Sequence, residues 1–162
     1  MSIDSDSIPT SYVELGRHIS ILYRYGRIFM DQKMADFTIG SGQYSFIFFL
    51  SNHNGASQEE ISTALCMDKT TTTRAIQKLE TSGFIRRQKD IDDQRMNRVF
   101  LTESGQEIYK ILKEYSYEWQ EILLHNLTLK EVSQLESLMN KLTGNARYNR
   151  NLMNRKGDEN VK

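Results

Sequence analysis

Apolar residues recur at helical spacing along most of this 162-residue chain. Between Ser11 and Ala35 the set Val13, Leu15, Ile19, Leu22, Tyr23, Ile28 and Phe29 predicts one long helix, with Tyr12, Tyr23 and Tyr25 adding aromatic bulk. Gly40-Ser41-Gly42 opens a second helix that runs through Leu50 and is ended by Asn52-His53-Asn54-Gly55. That helix is apolar nearly all round, so Tyr44 to Leu50 belongs at the centre of a domain. After Gly105 the residues Ile108, Ile111, Leu112, Tyr115, Trp119, Ile122 and Leu123 mark a long amphipathic helix. Thr128-Leu129-Lys130-Glu131 is a capping box that starts a last helix with Val132, Leu135, Leu138, Met139 and Leu142 inside. Beyond Gly144 the chain is rich in Asn, Arg and Lys and is expected to fray.

The stretch from Ser57 to Gly105 has a different grammar. Ser57-Gln58-Glu59-Glu60 is also a capping box, and Ile61, Ala64 and Leu65 form the stripe of a short helix ending at Cys66-Met67. Asp68 offers the N-cap of a second helix, in which Thr72, Ala75, Ile76 and Leu79 share one face. Gly83 suits a left-handed C-cap, Phe84-Ile85 a short strand, and Val99-Phe100-Leu101 a returning strand before Thr102 caps the next helix. The charged run Arg86 to Arg98 between them is the tip of a β-hairpin. Helix, turn, helix and hairpin in this order describe a winged helix-turn-helix. The expected fold is mainly α with a small β-hairpin wing.

This reading makes double-stranded DNA the first partner to consider. Outside its apolar face, the second motif helix carries Lys69, Thr70, Thr71, Thr73, Arg74, Gln77 and Lys78, hydroxyls, an amide and cations of the kind that address base edges and phosphates. Four consecutive threonines are poor helix formers, disfavoured by about 1–2 kcal/mol in total, so something besides intrinsic helicity must hold them. In the hairpin, Arg86, Arg87, Lys89 and Arg95 are candidate contacts, and Asp93 is placed to orient Arg95 through a bidentate pair on its way into the minor groove. From Lys69 to Arg98 there are eight Lys/Arg against four Asp/Glu, an excess of four in a chain whose net charge is zero.

Asp90-Ile91-Asp92-Asp93-Gln94-Arg95, then Val99-Phe100-Leu101-Thr102-Glu103-Ser104-Gly105, resembles the wing of the MarR family, which commonly reads Asp-Pro-x-Asp-x-Arg and ends in Leu-Thr-x-x-Gly. Leu79 to Arg87 matches upstream, and the likeness runs from about Tyr12 to Leu142, including Gln43. Ile91 stands where proline is usual and Gln94 where a second arginine is frequent. The resemblance implies a single domain over 1–162, with dimerisation helices at 11–35 and 106–156 around a DNA-binding lobe at 40–105. It implies a homodimer on a pseudo-palindromic operator, acting more often as repressor than activator. By the same analogy Thr70, Thr71, Thr73, Arg74, Gln77 and Lys78 would read the major groove and Arg95 the minor groove. Tyr23, Tyr44, Phe48 and Trp119 would line a pocket for a small aromatic or lipophilic effector, although core packing explains that set equally well.

Composition narrows the alternatives. The zero net charge removes any argument from a global basic excess, so the DNA case rests on charge distribution. One cysteine excludes an internal disulfide framework and fits a reducing cytoplasm. The polar start Met1 to Asp6 lacks the apolar core of a signal peptide, and the longest apolar run, Phe46 to Leu50, is far short of a membrane span. Neither a phosphate loop, a nucleophile elbow nor a metal-spaced histidine set occurs; His18, His53 and His125 are dispersed. No enzyme activity, metal or cofactor is expected. Two alternatives stay open: a winged helix that binds protein instead of DNA, and a regulator that senses oxidants through Cys66, although that residue sits where packing is expected.

Overall fold

The computed structural model describes residues 10–159, with side chains described over 14–149. The expectations for Met1 to Asp6, for the side chains of Tyr12 and Val13 and for the side chains of 150–156 lie outside those bounds. The elements in order are α1 (Thr10–Lys33), α2 (Ser41–Asn52), β1 (Ala56–Ser57), α3 (Gln58–Ala64), α4 (Lys69–Thr81), β2 (Ile85–Lys89), β3 (Asn97–Leu101), α5 (Glu103–Leu124) and α6 (Leu129–Glu159). This is a winged helix: six helices with a small antiparallel sheet in the order β1-β3-β2. The chain divides into two compact units, Met1–Trp119 and Gln120–Lys162.

The core of the first unit is built around α2, as its all-round apolarity requires. Tyr44, Phe46, Ile47 and Leu50 are buried, joined by Ile61 from α3, Ile76 and Leu79 from α4, Ile85, Val99 and Leu101 from the sheet, and Ile108 and Leu112 from α5. The α3 start is the expected capping box: Ser57 Oγ accepts from the Glu60 amide at 3.2 Å, and Glu60 Oε2 accepts from the Ser57 amide at 2.6 Å. The hairpin register pairs Ile85 with Leu101 and Lys89 with Asn97. Its strands are therefore longer, and its tip shorter, than the apolar residues alone suggest. Polar and charged residues continue β2 because a strand needs backbone pairing, not hydrophobicity, once its partner is in place.

β1 was not legible in the pattern. It is only two residues long, pairing Ala56 with Val99 and Ser57 with Arg98, and its length leaves no alternation to read. Gly83 adopts φ +76°, the left-handed conformation expected of it. Gly105 is required for a different reason: a Cβ there would meet the Phe84 carbonyl oxygen at 2.0 Å, so only glycine lets α5 start against the β2 approach. Thr102 caps that start by accepting from the Gly105 amide at 3.1 Å while donating to Gly83 O at 2.6 Å.

In the second unit, Thr128 and Glu131 form the expected capping box, with Glu131 Oε2 accepting from the Thr128 amide at 2.8 Å. One expectation is corrected here. Helix α6 passes through Gly144 and continues to Glu159, since one glycine costs a helix only about 1 kcal/mol and the flanking residues are helix-compatible. Leu135, Leu138, Met139 and Leu142, the apolar stripe of an expected dimerisation helix, are exposed in the single chain. On α1, in the first unit, Leu15, Ile19, Leu22 and Ile28 are likewise exposed.

Candidate nucleic-acid interface

The threonine run of α4 is held by three of its own hydroxyls. Asp68 caps the helix, its Oδ1 accepting from the Thr71 amide at 2.8 Å and its Oδ2 from Thr71 Oγ at 2.7 Å. These two bonds hold the Asp68 carboxyl below the usual carboxylate range, the hydroxyl contributing most. Thr72 Oγ1 donates to Asp68 O at 2.8 Å and Thr73 Oγ1 to Lys69 O at 2.7 Å. Three of the four hydroxyls thus bond within the first turns, which offsets the poor helix propensity of the run.

Burial sorts the helix into two faces. Thr72, Ile76 and Leu79 are buried; Lys69, Thr70, Thr71, Arg74, Gln77 and Lys78 are exposed. Lys69, Arg74 and Lys78 make no ion pair among the described residues. Thr73 differs from the outward placement expected of it. It is half-buried, and its oxygen also accepts from Gln58 Nε2 at 2.7 Å, so it braces α4 against α3.

In the hairpin the cations fall into different environments. Arg87 is bound by Glu80 on α4, its Nε lying 2.9 Å from Oε2, and this contact raises the guanidinium pKa and lowers that of the carboxyl. Arg86 donates to Gln88 Oε1 at 2.8 Å and lies 4.6 Å above the Phe100 ring. Lys89 is exposed. Arg95 is 95% exposed along its side chain.

The fork expected between Asp93 and Arg95 is not formed: the closest side-chain approach is a single contact of 3.9 Å. Asp93 Oδ1 instead accepts from the Arg95 backbone amide at 2.9 Å, because an aspartate two residues before an amide closes an Asx turn with less side-chain ordering than a salt bridge demands. The strong pair of the wing is one that sequence reasoning missed. Arg98 Nε donates to Asp90 Oδ2, and Asp90 Oδ1 accepts from the amides of Asp92 at 2.8 Å and Asp93 at 3.1 Å. The Arg98 guanidinium, followed by those two amides, holds the Asp90 carboxyl down at about 2. Nothing in the order of four acids and eight cations says which pair; only the strand register brings residues 90 and 98 together.

Elsewhere in the first unit a cavity of about 420 Å³ is lined by Tyr23, Tyr44, Phe48 and Trp119, with Arg27 and Met67 among the remaining walls. All four aromatic residues singled out from the sequence meet there. Burial, helped by Asp31, pushes the Tyr44 phenol up to about 12, and its hydroxyl donates to Asp31 Oδ1 at 3.3 Å. Cys66 departs from expectation: it is exposed, with φ +55° in the turn between α3 and α4. No group of three or more metal-ligating residues occurs, and no helix is long and apolar enough to cross a membrane, among the described residues.

The model of the MarR family matches residues 39–96. A MarR transcriptional regulator from Methanosarcina mazei Go1, known from its crystal structure, is 39% identical and superposes with a TM-score of 0.77, covering 82% of this chain and 95% of that one. The HTH-type transcriptional regulator BilQ of Clostridium symbiosum (strain WAL-14163) is 31% identical over 104 residues, 64% of this chain and 72% of the relative. A MarR family regulator from Listeria monocytogenes, crystallised with a 26mer DNA, is 23% identical and shares the fold with a TM-score of 0.78 over 82% of this chain and 89% of that one.

Proposed function

This chain belongs to the MarR family of winged helix transcriptional regulators, and on that premise we propose that it grips a pseudo-palindromic operator as a homodimer and represses the genes beside it. The observation that carries this reading is the outer face of α4. Lys69, Thr70, Arg74, Gln77 and Lys78 are exposed together, with the three cations unpaired among the described residues. A helix that enters a major groove needs such a face open. Arg95, exposed and aimed by no carboxylate fork, is the wing's candidate for the minor groove. Arg86, Arg87 and Lys89 supply phosphate contacts, Arg87 only while also held by Glu80.

The homodimer is supported by the apolar residues left open on α1 and on α6. Leu15, Ile19, Leu22 and Ile28 on one, and Leu135, Leu138, Met139 and Leu142 on the other, are the stripes of amphipathic helices left exposed among the described residues. Pairing of these helices with their copies would set the two α4 helices about one DNA turn apart, roughly 34–36 Å.

Release by an effector is supported by the aromatic cavity. Its walls are apolar apart from a few polar groups, and Arg27 is a cation at its lining, which fits a small aromatic acid better than a neutral lipid. A second mode of release, oxidation of Cys66, has one observation in its favour, the exposure of that thiol in the turn leading into α4.

Fluorescence anisotropy on the duplex spanning the gene's own promoter, run as a salt series against scrambled DNA, tests the reading. Specific binding with a steep salt slope is expected. Equal, weak binding to both duplexes, with a partner protein captured instead, would overturn it in favour of an interaction module.

A further inference from the structure

Arg98 sits on β3 opposite Gln88, and its guanidinium reaches acceptors in two separate parts of the fold. Nε donates to Asp90 Oδ2 within the wing. Nη1 donates to Glu60 Oε2 at 3.0 Å and lies 3.5 Å from Gly55 O, both outside the wing. Each carboxylate already organises its own surroundings. Asp90 is buried, holds the Asp92 and Asp93 amides on Oδ1, donates its own amide to Met96 O at 3.0 Å and accepts from Gln94 Nε2 at 2.9 Å on its carbonyl. Every polar group of Asp90 is engaged in closing the wing loop. Glu60 Oε2 accepts from the Ser57 amide as the returning half of the α3 capping box.

One guanidinium therefore joins the residue that shapes the wing loop to the residue that starts the first motif helix. A planar fork with two committed nitrogens specifies an orientation as well as a distance, which a lysine, with one nitrogen, cannot do for two carboxylates at once. The exposed half of such a pair adds little to global stability. Its consequence is geometric: Ile85, Val99 and Leu101 and the Arg87–Glu80 pair anchor the base of the hairpin, while Asp90, Arg98 and Glu60 tie the loop that carries the exposed Arg95 to α3.

We infer that Arg98 is a positioning residue for DNA binding, which locks the wing and Arg95 at a fixed attitude to α3 and α4. The inference rests on the DNA-binding reading above. With the lock closed, wing and recognition helix meet the duplex as one body, and the entropy of ordering the wing is not lost at the moment of binding. Nε and Nη1 are engaged with protein, and in this role Arg98 acts through Arg95.

The test compares Arg98→Ala, Arg98→Lys, Arg95→Ala and the double variant Arg98→Ala/Arg95→Ala in the full chain, each first checked for wild-type helicity by circular dichroism. Binding is measured by anisotropy on the promoter duplex, with hydroxyl-radical and guanine-methylation footprints of the complexes. Amide hydrogen exchange is measured on the free proteins. Arg98→Ala is expected to weaken binding about tenfold and to lose minor-groove protection while guanines under α4 stay protected. The double variant should bind within about threefold of Arg98→Ala, because both changes remove the same contact. The Asp92, Asp93 and Met96 amides should exchange faster in Arg98→Ala, with α4 unchanged, and Arg98→Lys should restore only part of this. Additive losses in the double variant would assign Arg98 a DNA contact of its own and overturn the inference, as would unaltered exchange in the wing. Failure of the wild type to prefer the promoter duplex would count against the DNA-binding reading, and the exchange measurement would still decide the lock.

Discussion

Gln58 Nε2 donates to Thr73 Oγ1 at 2.7 Å, tying the first residue of α3 to the last threonine of the run on α4. Because Thr73 Oγ1 spends its proton on Lys69 O, the bond runs one way and sets the spacing between the two motif helices. Gln58→Ala and Thr73→Val are each expected to cost about 1 kcal/mol, the net worth of one hydrogen bond, and to lower Tm by about 3 °C. The double variant should melt no lower than the worse single one. A change of preferred operator bases in Thr73→Val, found by selection from a random library, would show instead that Thr73 reads DNA.

Charge reversal on the proposed reading surface should separate binding from folding. Arg74→Glu and Arg95→Glu are each expected to reduce promoter affinity by about a hundredfold or more, since a favourable contact becomes a repulsive one beside phosphate. Sedimentation mass and helicity should not change, because both side chains are exposed. Unaltered affinity in both would remove these residues from the interface.

Dimerisation through α1 and α6 predicts a sedimentation mass of two chains, about twice 18.9 kDa, at micromolar concentration. Ile19→Glu and Leu138→Glu place a charge on the two open apolar stripes and should shift the protein to monomer. A dimer that survives both substitutions would locate the interface elsewhere.

Trp119 is the sole tryptophan of the chain and lines the aromatic cavity, so its fluorescence reports on that space directly. Benzoate is expected to quench it saturably and to release the promoter duplex over the same concentration range. Arg27→Ala should weaken the effect by about tenfold, as for loss of one hydrogen bond to a charged group. Quenching that is linear in benzoate and identical in the variant would indicate collision and no site.

Acid should open the wing late. The Asp90 carboxyl is held at about 2 by the Arg98 guanidinium and the Asp93 and Asp92 amides, below the unfolded value of about 3.9. A depressed native pKa contributes stability that is complete above the unfolded value and is lost as pH falls through the native one. The Asp92 and Asp93 amide resonances are therefore expected to titrate with a midpoint near 2 in the wild type and to lose that transition in Asp90→Asn. A midpoint in the ordinary aspartate range would mean that the carboxylate is not held.

By itself the sequence determined what depends on neighbours along the chain. The capping boxes at Ser57 and Thr128, the left-handed Gly83, the helical stripe of α4 and the apolar α2 are local rules of hydrogen bonding and burial, and residues a few positions apart suffice to state them. The gathering of Tyr23, Tyr44, Phe48 and Trp119 was anticipated through likeness to a family, not through spacing. Only the tertiary structure decided which charges meet. Asp90 with Arg98, Arg98 with Glu60 and Glu80 with Arg87, like the neutral Gln58–Thr73 bond, join residues from different parts of the fold, and such polar pairing carries no sequence period from which partners are read. The same holds for β1, too short to show alternation, and for Cys66, exposed in a turn whose left-handed conformation its neighbours do not announce. It holds too for the α6 stripe, whose periodicity foretells an apolar face while leaving open whether the chain covers it, because amphipathicity specifies that a surface seeks burial and not against what.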